Sequence, residues 1–419
     1  MRTAFSSFPV PGISPETGFI TVSAFWITAL LSFGLLGGLS PLMTFPTVMP
    51  TVAAEWGLSA AQSGWLGGIY FAGYAAAVLF LTAATDRIDA RIVYGASAAL
   101  GGMSSLAFAL AADGFAMAMV LRFLGGIAVA GVHMPGLKLL LDYVRGPHQA
   151  RSAAVYTSVY AAGSAFSYFL AGAVMDWFGW RAAFIASGIG PLVGLLLLLL
   201  LPPKPAPTGE QKRAPVLSVL RNRALLGYAI GFAGNTWEVF AIRTWFVACL
   251  AWSLAQPGEG LSLPALGIVS GLAALVGVPV SMAVAEVAHR IGYRPVVIAV
   301  CVLSVANCLA VSAAAGGSSL VMLALLAALQ IISFADVAAL SSGAAMSLTP
   351  QQRGAGLAVY GFAGFTSGFI GPVAVGLAID FGGGAASAAG WSAGFLLMAL
   401  GSSVTALAML ATPRVGKRP

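Results

Sequence analysis

Apolar runs of about 18 or more residues recur along the whole chain, and no other feature narrows its fold so far. A run of that length crosses the hydrocarbon of a bilayer as a helix. In hydrocarbon the backbone must satisfy its own N–H and C=O groups, which leaves helices or closed barrels. Barrel strands alternate apolar and polar residues over about ten positions. These runs do not alternate, so they are helices. They lie near 20–50, 63–84, 92–112, 115–141, 152–175, 182–201, 224–252, 264–287, 295–313, 319–346, 355–379 and 391–411. Twelve such spans define an all-α polytopic membrane protein. With 59% hydrophobic and 8% charged residues in 419, the chain has too little polar surface for a soluble domain.

The sixth run ends in the unbroken leucines Leu195 to Leu201, and the one clearly polar connector follows, with Lys204, Glu210, Lys212, Arg213, Arg221 and Arg223. Six spans stand on either side. The expected organisation is an N-terminal tail over 1–19, a six-helix bundle over 20–201, a central loop over 202–223, a second six-helix bundle over 224–411 and a tail over 412–419. The first twenty residues hold Arg2, three prolines and Glu16 without an apolar core or cleavage site, so they read as a tail, not a signal peptide.

Alternate loops differ sharply in charge. One side collects Arg2, Arg87, Arg91, Arg145, Arg151, Lys204, Lys212, Arg213, Arg221, Arg223, Arg290, Arg294, Arg353, Arg414, Lys417 and Arg418. The other has Arg181 alone, with the acids Glu55, Asp113, Asp176, Glu259 and Asp380. Positive charge stays cytoplasmic, so both termini are expected inside a bacterial-type inner membrane. The net charge of +7 is therefore topological and implies no nucleic-acid partner. Cys249, Cys301 and Cys308 lie in apolar runs without pairing or metal spacing and read as buried thiols.

Thr85 to Tyr94, TDRIDARIVY, packs Asp86, Arg87, Asp89 and Arg91 between the second and third spans. HRIGYR, His289 to Arg294, holds the same place in the second half, so Arg87 matches Arg290 and Arg91 matches Arg294. QAR ending at Arg151 likewise matches QQR ending at Arg353. Two six-helix halves in parallel repeat suit alternating access, with substrate at their interface near mid-depth.

These residues resemble the major facilitator superfamily. Asp86, Arg87 and Arg91 match its cytoplasmic loop signature, G-x-L-x-D-R-x-G-R-[RK], with Thr82 and Asp89 in place of the glycines and Ala90 in place of an arginine. The second copy keeps Arg290, Gly292 and Arg294 but has His289 where the acid belongs. A second signature, an arginine followed by a glycine-rich face in the fourth span, is met by Arg122, Gly125, Gly126 and Gly131. The fifth span, AAGSAFSYFLAG from Ala161 to Gly172, lacks the G-P pair of the family's drug antiporters; a G-x-x-G-P stands at Gly368 to Pro372 in the eleventh span instead. The resemblance implies two pseudo-symmetric six-helix bundles and secondary transport, with Asp86, Arg87, Arg91, Arg290 and Arg294 as gating residues.

An ionisable group inside a span costs about 2.5–3.5 kcal/mol on insertion scales, so each is a functional candidate. Arg122 and His133, eleven residues apart, share one face of the fourth span with Gly126 and Ala130. That face either opens on a cavity, or Arg122 ties backbone and His133 is an interior histidine. Lys138 and Asp142 are spaced for snorkelling or a mutual pair. In the seventh span Asn235, Glu238, Ile242 and Trp245 form one helical stripe, and Glu238 lies near mid-depth. Arg243, roughly 140° round the helix from Glu238, points to another helix or to a substrate anion. Trp237 and Trp245 read as packing, belt or cavity lining. Asp336 in the tenth span falls opposite His133 when the halves are aligned. The candidate substrate-binding set is Arg122, His133, Asn235, Glu238, Arg243, Trp245 and Asp336, with Glu238 and Asp336 also as proton carriers.

The leading expectation is a monomeric secondary transporter of a small organic or inorganic anion, coupled to protons. One alternative is proton-coupled efflux of lipophilic or cationic compounds; another is a non-transporting receptor or assembly factor on the same fold. No G-x-x-x-x-G-K-[ST], H-E-x-x-H or nucleophile–base pair occurs, so neither an enzyme nor a cofactor or metal is expected.

Overall fold

The computed structural model describes residues 24–201, 219–257, 266–349 and 352–413. The expected tail 1–19, Lys204, Glu210, Lys212, Arg213, Glu259, Arg414, Lys417, Arg418 and the Arg353 side chain lie outside them.

Among the described residues the structure is helical throughout. The first half runs α1 (Ala24–Gly38), α2 (Thr44–Trp56), α3 (Ala60–Ala84), α4 (Ala90–Ala111), α5 (Phe115–Tyr143) and α6 (Gln149–Leu198). The second runs α7 (Arg223–Leu254), α8 (Leu266–Ile291), α9 (Tyr293–Ala314), α10 (Ser319–Ala335), α11 (Val337–Met346), α12 (Arg353–Phe381) and α13 (Ala388–Ala411). Among the described residues ten helical runs are long and apolar enough to cross a membrane, with Ser319–Met346 taken as one run across the break between α10 and α11. The twelve expected spans and these helices differ in three places. The first span is split into α1 and α2 by a turn containing Pro41. The tenth is split into α10 and α11 at Asp336. The fifth and sixth are fused in α6, a 50-residue helix broken at Gly179, whose φ of 81° is open to glycine alone without strain.

Local chemistry sets the ends. Ser59 and Gln62 form a capping box at the start of α3. Asp89 accepts from the Arg91 N–H to start α4, and Asn222 accepts from Ala224 and Leu225 to start α7. The break between α1 and α2 frees backbone groups that side chains recapture: the Ser167 hydroxyl accepts from the Met43 N–H at 2.8 Å and donates to the Ser40 carbonyl at 2.6 Å.

Small residues bring helices into contact. A Cβ added to Gly126 on α5 would lie 1.8 Å from the Tyr70 carbonyl of α3, so the two backbones touch there.

The charged hinges do similar work in both halves. Arg91 donates to the Leu201 carbonyl at 2.7 Å, and Arg294 donates to the Leu410 carbonyl at 2.5 Å. Each arginine thus ties the start of its half's third span to the end of the sixth. Arg290 pairs with Glu286 at 2.8 Å, one turn away on the same helix. On the opposite face Arg181, the lone outer cation of the sequence, meets Glu55 at 3.3 Å.

The two bundles close against each other on that outer face. Asp380 at the end of α12 accepts from the Ala60 and Ala61 N–H groups of α3, at 2.9 and 2.8 Å. Such a carboxylate also meets the positive end of the helix dipole. Tyr168 of α6 donates to the Arg243 carbonyl of α7 nearby. The apolar core is continuous here, running from the first bundle into Trp245, Cys308, Met322 and Trp391 of the second. Toward the arginine-rich face the second bundle keeps a separate core, including Leu225, Val297, Leu340 and Met409, with no member from the first bundle. The bundles thus share one core toward the Asp380 end and keep separate cores toward the arginine-rich end. Replacing Asp380 by Asn should weaken this clasp by about 1–2 kcal/mol, a five- to thirtyfold shift toward opening at that end. Spin-label distances across α3 and α12 report it; an unchanged distribution would remove the clasp from the account.

Candidate functional site

The interface near mid-depth is built from aromatic rings. From the first bundle come Phe71 and Tyr74 of α3, His133 of α5 and Tyr160 of α6; from the second, Phe240 of α7 and Phe365 of α12. Tyr74 stacks on Phe365 at 3.8 Å between centroids, and Phe71 meets Phe240 at 3.9 Å. His133 lies 4.6 Å from the Tyr160 ring, and its Nδ1 shares a 2.8 Å hydrogen bond with the Tyr74 hydroxyl. The Tyr160 hydroxyl is buried with no partner among the described residues. His133 therefore belongs to the layer where the bundles meet.

Three residues on from Phe240, a rise of about 4.5 Å along the helix, sits Arg243. Its side chain is 3% exposed. Its Nη1 donates to Ser164 of α6 at 3.2 Å, and its guanidinium lies 4.9 Å from the Phe334 ring centre. No carboxylate is among its contacts in the described residues. The sequence left Arg243 between another helix and an anion; Ser164 supplies the helix and leaves the charge unneutralised.

Glu238 turns the other way, into its own bundle. Fully buried, it accepts hydrogen bonds from the Ser304 hydroxyl of α9 and the Ser402 hydroxyl of α13, with the Cys308 thiol at 3.7 Å. Asp336 occupies the break between α10 and α11, accepts from the Asn235 amide at 2.7 Å and lies 3.8 Å from the Cys301 thiol. Cys301, Ser304 and Cys308 are spaced i, i+3, i+7 on α9, so one face of that helix serves both acids. Asn235, Glu238, Ser304, Asp336 and Ser402 make a polar belt at the depth where the second bundle's core divides. The stripe Asn235, Glu238 and Trp245 thus faces the bundle interior and not the interface. Trp245 packs edge-on against Trp391 and donates to the Pro372 carbonyl at 3.1 Å. Asp336 faces the belt.

Arg122 stands apart from all of these. It is 3% exposed inside the first bundle, where Nε donates to the Leu66 carbonyl at 3.2 Å and Nη1 to the Pro41 carbonyl at 3.4 Å. The shared face with His133 is real in register, but the two side chains serve different neighbours. Lys138 donates to the Thr85 carbonyl in the hinge.

Sequence reasoning missed Tyr74, Tyr160, Ser164, Phe240 and Phe365. Their only signal was the placing of aromatic and hydroxyl side chains near the middle of apolar runs. Among the described residues no group of His, Cys, Asp and Glu could hold a metal.

A family model described as Major Facilitator Superfamily matches residues 25–372. The niacin transporter NiaP of Acinetobacter baylyi is 25% identical over 142 residues, 34% of this chain and 32% of that protein. The gallate transporter of Pseudomonas putida is 29% identical over 181 residues, 43% of this chain and 40% of its own length. The multidrug resistance protein MdtL of Salmonella heidelberg is 27% identical over 180 residues, 42% of this chain and 45% of its own. The matches thus span less than half the length of these curated relatives. Among solved structures, a bacterial homolog of the human lysosomal transporter Spinster, inward-facing and unoccupied, has a TM-score of 0.78 at 16% identity, covering 94% of this chain and 99% of that one. The nucleoside transporter NupG has a TM-score of 0.71 at 15% identity, covering 93% and 98%. Both likenesses concern the fold.

Removing a hydroxyl that holds a buried carboxyl leaves an acceptor unsatisfied, which costs about 1–3 kcal/mol. Ser304→Ala and Ser402→Ala should therefore each lower the thermal unfolding midpoint of the detergent-solubilised protein by several degrees. Unaltered midpoints in both would show that Glu238 does not depend on them.

Proposed function

The chain belongs to the Major Facilitator Superfamily, and from that premise we propose that this secondary transporter moves a small aromatic carboxylate together with a proton across a bacterial plasma membrane. The observation that carries the reading is Arg243: a buried guanidinium between the bundles with no carboxylate partner, one turn from a layer of stacked rings. A carboxylate seated on Arg243 and Ser164 would gain charge-assisted bonds in a low-dielectric site. Its ring would then fall among Phe71, Tyr74, Phe240 and Phe365, where offset stacking is favourable. His133 and the unpartnered Tyr160 hydroxyl would meet polar substituents on that ring. The similarity to niacin and gallate transporters supports this choice, since both named substrates are carboxylates on a six-membered aromatic ring.

Glu238 and Asp336 supply the proton path. Their partners are hydroxyls, thiols and an amide, and with no cation beside them the neutralising species is a proton. Substrate charge and proton charge thus occupy separate places, the interface and the second bundle's belt. α7 links them, since Arg243 and Glu238 lie on different faces of this one helix. A cytoplasm-facing state closed by Asp380 is the form that would release cargo inward, and Arg91 and Arg294 hold each half rigid as it rocks. Asp86, Arg87 and Arg290 extend that gating surface.

Proteoliposomes with an imposed pH gradient test the reading. Nicotinate, benzoate and gallate should accumulate, while dyes such as ethidium should not; the reverse pattern would favour efflux of lipophilic cations. Arg243→Gln should weaken carboxylate binding by about 2–5 kcal/mol, thirtyfold or more. Arg243→Lys should recover only part of this, because the planar fork is lost. Glu238→Gln should abolish proton-driven accumulation yet permit counterflow exchange, and full proton-driven uptake in that variant would sink the coupling role.

A further inference from the structure

Arg243 is framed by two helices, each through two residues about one turn apart. On α6, Ser164 accepts from the guanidinium at 3.2 Å, and Tyr168, four residues on, donates to the Arg243 main-chain carbonyl. On α10, Phe334 lies 4.9 Å from the guanidinium, and Gln330, four residues back, starts a chain of hydrogen bonds that ends on the same carbonyl. Gln330 Nε2 donates to the Ser270 hydroxyl of α8 at 3.3 Å and to the Ser270 carbonyl at 2.6 Å. The Ser270 hydroxyl bonds to the Tyr168 hydroxyl, which donates onward to Arg243. Each hydroxyl in the chain thus both accepts and donates. Tyr168, Ser270 and Gln330 are all buried. Ser164 and Tyr168 come from the first bundle, and the rest of the frame comes from the second. About one turn beyond the chain the backbones of α6 and α8 touch, since a Cβ added to Gly172 would lie 3.1 Å from the Gly267 Cα.

We propose that Tyr168 is the positioning residue of the cargo site, making the seating of a carboxylate on Arg243 and the contact of α6 with α8 a single event. The inference rests on the reading of Arg243 as the carboxylate anchor. Ser164 and Tyr168 share one face of α6, so they reach Arg243 together. Separation of the bundles at this level takes the Ser164 hydroxyl from the guanidinium and the Tyr168 hydroxyl from the carbonyl in one movement. Arg243 then offers a carboxylate only its own nitrogens. With α6 in place, cargo is held from both bundles, by Arg243 on one side and Ser164 on the other. Its binding favours the joined form by the difference in affinity between the two. Tyr168 itself touches no cargo; it sets how often the complete site exists. Asp380 holds α12 to α3, a different pair of helices, so the bundles are joined at two separate places.

The experiment places spin labels on α6 and α8 near Gly172 and Gly267 in the purified full chain. It reads their separation with and without benzoate, alongside the affinity for benzoate. Without ligand, Tyr168→Phe should lower the ratio of close to wide separations about five- to tenfold, and Ser270→Ala should shift it the same way by less. Saturating benzoate should restore the close population in both variants, and apparent affinity should weaken in step with the close population lost. If Tyr168→Phe fails to fold, Ser270→Ala carries the comparison. Unchanged ligand-free separations in these variants would overturn the proposal. Wider separations with benzoate affinity untouched would also overturn it, leaving Tyr168 a packing contact. Failure of benzoate to bind the wild-type chain would take away the carboxylate reading and this inference with it, and the ligand-free separations, which need no cargo, tell that outcome from the others.

Discussion

An uncompensated charge in a low-dielectric interior is the constraint from which the rest of this molecule can be understood. Two cations and two acids lie buried near the middle of the spans, and the structure keeps them apart. Arg122 and Arg243 are held by carbonyls, rings and a serine; Glu238 and Asp336 by hydroxyls, thiols and an amide. A protein built only for stability would have paired them, since opposite charges in such a medium attract strongly. Their separation leaves charges ready for mobile partners.

The two bundles divide that labour unequally. The first keeps a single continuous apolar core along its depth, with Arg122 as an internal tie. The second is cut at mid-depth by the belt of Asn235, Glu238, Ser304, Asp336 and Ser402, which separates its core into outer and inner parts. Apolar packing is stiff because it tolerates no voids, whereas a belt of exchangeable hydrogen bonds has more than one satisfied arrangement. A change of protonation at Glu238 would alter which donors it needs, and α7 would convey the change to Arg243 a turn and a half away.

Much of this was legible in the chain, and the limits were physical. Twelve apolar runs, the arginine asymmetry and the paired hinges gave the helices, their order and the repeat, because each follows from transfer energies summed over many residues. The match of Arg91 to Arg294 reappears as the same contact in both halves. What periodicity could not supply was the identity of the neighbour. The stripe of Asn235, Glu238 and Trp245 was visible as a stripe, yet a helix in a bundle has packed surface on several sides, and only assembly decides which one meets the other half. The split at Asp336 had no warning either, since Phe334 to Val337 contains no glycine or proline. Tyr74, Tyr160 and Phe365 were silent for a related reason: an aromatic side chain in an apolar run looks the same whether it meets lipid, core or cargo.

The Asp380 clasp has a consequence for how this transporter can change under selection. Its acceptors sit on one side chain, but its donors are the main-chain amides of Ala60 and Ala61. Ordinary replacements at those two alanines leave the amides in place; only proline removes one. Heritable tuning of outer closure is therefore one-sided. Suppressors of a faulty gate should accumulate at the tip of α12 and be scarce on the facing strip of α3, and the balance between states can drift through a single codon without disturbing the helix it grips.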